Sequence, residues 1–127
     1  MAEHKIRIAK RDFPLAFTLG AMERMEKTMP GFDITKIDEI LSSVTGKLDI
    51  IYILAQEGAS VEGKELDVSR SWIGSHIPAN RDAIVRIHTA IVETLVDGMS
   101  METDDEDEDR EVDVVLEEIK KKDVKTA

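Results

Sequence analysis

A small, mainly or wholly helical domain is what this 127-residue sequence predicts, and three observations predict it. Apolar residues recur at helical spacing in successive segments, glycine and proline punctuate those segments, and aromatics supply only 4% of the chain against 42% apolar residues overall. A core built of Ile, Leu, Val, Met and Ala suits helices packed on helices. The length suits one domain with a tail rather than two domains.

The opening His4-Lys5-Ile6-Arg7-Ile8-Ala9-Lys10 alternates polar and apolar residues, which predicts an optional short N-terminal β-strand with Ile6 and Ile8 on one face. Asp12-Phe13-Pro14 breaks that strand, because Pro14 cannot donate to a ladder. A first helix follows from about Leu15 or Thr18 to Met29. Leu15, Leu19, Met22 and Met29 lie near one face, and Glu23 pairs with Lys27 on another. Pro30-Gly31 ends it.

Thr35 with Asp38 three residues on resembles a capping box and opens a helix carrying Ile37, Ile40, Leu41 and Val44. Gly46 separates it from Lys47 to Glu57, which is apolar on nearly every side and so predicts the most buried helix, although its β-branched content leaves a strand reading open. Gly58 is placed to cap it. Ala59 to Asp67 is a polar surface loop, Ser69 to Ile77 a short helix, and Pro78 a break. From about Ala79 to Met99, the stripe Ile84, Ile87, His88, Ile91, Leu95 and Met99 gives the clearest helix, with Asp82 and Arg86 paired outside.

Three parts result: a helical domain over 1–101, an acidic flexible linker over 102–111 and an amphipathic C-terminal helix over 112–127 with Val112, Val115, Leu116 and Ile119 on one face. The formal charge is −10, and residues 102–127 alone carry 12 acidic and 5 basic side chains. With no Lys/Arg stripe, nucleic acid is not an expected partner. No run approaches the ~20 apolar residues that cross a bilayer, and Met1 to Lys10 has no apolar core of a signal peptide, so no membrane is expected and the default location is the cytoplasm.

Chemistry is sparse. The absence of cysteine removes disulfides and thiolate nucleophiles. His4, His76 and His88 have no zinc-ligand spacing, and no serine sits in a nucleophile elbow. His88 reads as a half-buried residue on the stripe's edge, and His76, four residues after Trp72, as packing on that ring. Asp104 to Asp109 lacks the glycine and terminal glutamate of a calcium loop and reads as solvated linker. No catalytic residue, metal or cofactor is expected. The candidate binding residues are Leu19, Met22, Met25 and Met29, whose bland reading is core, and Val112, Val115, Leu116 and Ile119, whose bland reading is docking on their own domain. Such faces suit another protein or a second copy, and a homo-oligomer is expected.

Lys5-Ile6-Arg7-Ile8, followed by Phe13-Pro14-Leu15-Ala16-Phe17-Thr18-Leu19-Gly20-Ala21-Met22-Glu23-Arg24-Met25-Glu26-Lys27, resembles the opening of the small tail assembly chaperones of long-tailed bacteriophages and prophages. The resemblance covers about residues 5 to 97, with Phe17 to Glu26 its most specific part. It implies a non-enzymatic helical protein that binds the tape measure protein and keeps it soluble in the host cytoplasm while tail tube subunits polymerise around it. It also implies absence from the finished virion and, in many such systems, a frameshifted longer form that recruits tail tube protein. The alternative is an acidic regulatory protein that mimics nucleic acid, with Asp104 to Glu111 engaging a basic host factor.

Overall fold

The computed structural model describes residues 4–100. The expected linker 102–111 and terminal helix 112–127, with Val112, Val115, Leu116 and Ile119, lie outside the described residues. Within them the domain is mainly α, with five helices and one two-stranded sheet.

The chain begins as a β-hairpin rather than a lone strand. β1 (His4–Ile8) pairs antiparallel with β2 (Arg11–Leu15), so that Ile6 faces Phe13 and Ile8 faces Arg11. Ala9 and Lys10 between them have φ of 51° and 67°, the left-handed pair that a two-residue turn matching strand twist requires. Pro14 therefore does not break the structure. Counting from the turn, its pair with Lys5 is a non-hydrogen-bonded one, so the missing N–H costs the ladder nothing. Ile6, Ile8, Phe13 and Leu15 are all buried on one face, while Arg7 meets Asp12 at 3.1 Å on the other.

Helix α1 (Leu19–Thr28) starts later than the Leu15 limit because Leu15 belongs to β2 and Thr18 caps the helix, its side chain accepting from the Ala21 N–H at 3.2 Å. Beyond Gly31 (φ 72°) comes a 3₁₀ turn, Ile34–Lys36, capped by Asp33 and not by Thr35, then the single turn of α2 (Ile37–Ile40). The expected helix through Val44 stops short because Ser43 caps a new one, accepting from the Gly46 N–H at 2.9 Å.

That new helix, α3 (Val44–Val61), is longer than the predicted Lys47 to Glu57, and it resolves the strand alternative in favour of helix. Ile50, Ile51, Ile53, Leu54 and Ala55 are buried, and the hairpin, α1, α4 and α5 surround it. Gly46 and Gly58 are not its boundaries. They lie inside it, at close approaches: a Cβ on Gly46 would fall 1.7 Å from the Ile40 carbonyl oxygen, and one on Gly58 would fall 2.0 Å from that of Pro14. β2 is further tied to α3 by the Ala16 N–H donating to the Leu54 carbonyl at 3.1 Å.

α4 (Arg70–Ser75) is capped by Ser69, and α5 (Arg81–Met99) by Asn80, whose side chain accepts from the Ala83 N–H at 2.8 Å. The buried face of α5 is Ala83, Ile87, Ile91, Thr94 and Leu95. It is rotated from the predicted stripe: Ile84 reaches the surface and His88 is exposed, not half-buried. Gly98 lets the end of α5 press on Phe17, where a Cβ would sit 2.2 Å from the carbonyl oxygen.

Candidate partner-binding surface

Several polar side chains of the described residues hold elements together. Glu57, on α3, takes a hydrogen bond from the Thr18 hydroxyl at 2.6 Å and another from Arg24 Nε at 3.3 Å, and its side chain is 13% exposed. A Cβ on Gly20 would come within 3.0 Å of the same carboxylate. Thr18, Gly20, Ala21, Arg24 and Met25, the middle of the segment that carries the family resemblance, are thus the residues that seat α1 on α3, with Ala21 and Met25 fully buried.

A second cluster joins the hairpin to α4. Arg11 donates twice to Asp67, at 2.8 and 2.9 Å, and its guanidinium lies 4.9 Å over the Phe13 ring and 5.8 Å from that of Trp72. Phe13 meets Trp72 edge-on, and Trp72 stacks on His76 with centroids 4.0 Å apart, as the four-residue spacing predicts. The hydrogen bond from Arg11 holds the Asp67 carboxyl below its ordinary pKa of 3.8. A third link, Arg70 Nε to Asp49 at 2.5 Å, ties α4 to α3.

Among the described residues no group of three or more His, Asp or Glu side chains could hold a metal ion. Nor is any described helix long and apolar enough to cross a membrane. The concavities are open clefts; one, of about 320 Å³, lies between α1 and α3 and is lined by Met29, Tyr52, Ile53 and Gln56 with the Arg70–Asp49 pair at its side.

What the surface does offer is apolar. Of the candidates, Leu19 is 82% exposed, Met22 one turn further along α1 is half-buried, and Met29, the extended residue after the helix, is half-buried too. Met25 is a correction: at 0% exposure it belongs to the core and presents nothing to a partner. Leu19 and Met22 thus form a short apolar ridge at the start of α1, while Met29, in extended conformation just beyond the helix, lines the cleft beside Tyr52.

A second apolar row, which the sequence reading missed, is on the outer side of α5: Val85 at 53%, Val92 at 38% and Val96 at 44% exposure. Their spacing of seven and four was legible, but the stronger isoleucine stripe of the same helix masked it.

Compared with protein-family models, with curated proteins and with solved structures, the chain finds no match. The fold and surface define its class: a small mainly-α domain with an N-terminal β-hairpin and exposed apolar rows on two helices.

Proposed function

We propose that this protein is a non-enzymatic tail assembly chaperone of a long-tailed phage or prophage, which binds apolar helical segments of the tape measure protein until tail tube subunits enclose them. The observation that carries the reading is Leu19, a large aliphatic side chain left 82% exposed at the start of a helix on which the half-buried Met22 follows one turn later. Leucine and methionine adapt to varied apolar partners, and burying such surface contributes on the order of 25 cal/mol per Å². Capture of this kind is reversible, as a transient escort requires. The resemblance over Phe17 to Glu26 supports the same reading, and the work takes place in the bacterial cytoplasm without a cofactor.

The acidic residues 102–127, with seven net negative charges, favour a second reading in which the chain engages a basic host factor. Co-expression with a tape measure protein separates the two. Under the chaperone reading the tape measure moves from the pellet to the soluble fraction, and a chain lacking 102–127 retains most of that effect. A tape measure that stays insoluble, together with retention of basic proteins that the deletion abolishes, supports the second reading instead.

A further inference from the structure

We propose that the outer face of α5 pairs antiparallel with α5 of a second copy of this chain. Val85, Thr89, Val92 and Val96 follow a four, three, four spacing, which is the seam of a two-helix coiled coil. They point away from Ile87, Ile91 and Leu95, the residues that seat α5 in its own core, so the row is unpartnered among the described residues.

The order of residues along the row selects a second copy as its occupant. When the helix is laid against itself in the opposite direction, Val85 meets the partner's Val96 and Thr89 meets the partner's Val92. Each pair recurs under the two-fold axis, as a self-complementary interface demands. Arg86 and Glu93 flank the seam on one side, seven residues apart, and the same two-fold sets each Arg86 within reach of the partner's Glu93. Within one helix those two side chains are about 10 Å apart along the axis, too far to pair. Neither makes an ion pair inside the chain among the described residues, and the Asp82–Arg86 pair expected from the sequence does not form. In a parallel arrangement the two copies of Arg86, and of Glu93, would lie on opposite sides of the seam, and the Arg86–Glu93 pairing would be lost.

The apolar row is short, about 17 Å from Val85 to Val96, and Asp82 interrupts it at the next seam position, so the pairing belongs with weak and reversible interfaces. It uses a different helix from the ridge on α1, so a dimer leaves that ridge free.

Sedimentation of the full chain over about 1 to 200 µM tests this, since an interface of this size associates in the micromolar range. The expected result is a monomer–dimer equilibrium that Arg86→Glu or Glu93→Arg weakens at least tenfold, and that the double swap R86E/E93R returns to within about threefold of the parent. Circular dichroism on each variant establishes that it is folded; these are exposed positions and should leave Tm unchanged. A chain that remains monomeric at the top of the range overturns the proposal. So does a dimer indifferent to the single swaps, or one that the double swap fails to restore.

Discussion

Asp67 shows how much a single side chain is asked to do here. It lies in the segment between α3 and α4, and its two hydrogen bonds from Arg11 fasten that segment to the hairpin while Arg11 covers Phe13 and Trp72. Because its folded pKa lies below the ordinary 3.8, the pair contributes stability above that value and loses it as the pH falls through the lowered one. Urea midpoints should therefore exceed those of Asp67→Asn at neutral pH and converge with them as the pH falls below 3.8 through the lowered value. A constant gap over the whole acid range would contradict the assignment. Both partners are solvent-exposed, so the gap is small and shrinks in salt.

At the scale of elements, α3 is the post on which the rest is hung, and its glycines record how closely. Gly58→Ala would drive a methyl into the Pro14 carbonyl and must shift the hairpin, at a cost of about 3 kcal/mol or more, roughly 12 °C in Tm for a domain of this size. Gly74→Ala in α4 meets only Leu48 Cδ1 at 3.5 Å and should be neutral or stabilise by a fraction of a kcal/mol. Thermal melts that rank the two the other way would refute the packing described for α3 and β2. These glycines also mark the limit of what could be read beforehand. Periodicity located α1, α3, α4 and α5 and the isoleucines that fill the core. It treated Gly46 and Gly58 as stops, because a glycine that ends a helix and one that admits a neighbouring carbonyl are the same letter in one dimension. Pro14 misled for a related reason, since whether a missing N–H matters depends on register, which only the paired strand fixes. The turn at Ala9-Lys10 carried no glycine or asparagine signal at all.

Over the whole molecule, the core is closed while α1 and α5 each keep an apolar row outside, on separate helices. Three of the four residues Leu19, Met22, Met25 and Met29 that the sequence offered for binding reach the surface, Leu19 fully and Met22 and Met29 in part. Met25 shared their chemistry and differed only in the side of the helix it occupies, which the docking of Glu57 with Thr18 and Arg24 decides. The reading of this chain as a carrier of apolar helices rests on the α1 ridge. Binding of a fluorescent helical peptide from a tape measure protein, measured for the parent chain and for Leu19→Asp, whose side chain stands 82% exposed, tests it most directly. Affinity is expected to fall at least tenfold, about 1.4 kcal/mol, with little change in Tm. Equal affinity in the two proteins would contradict it.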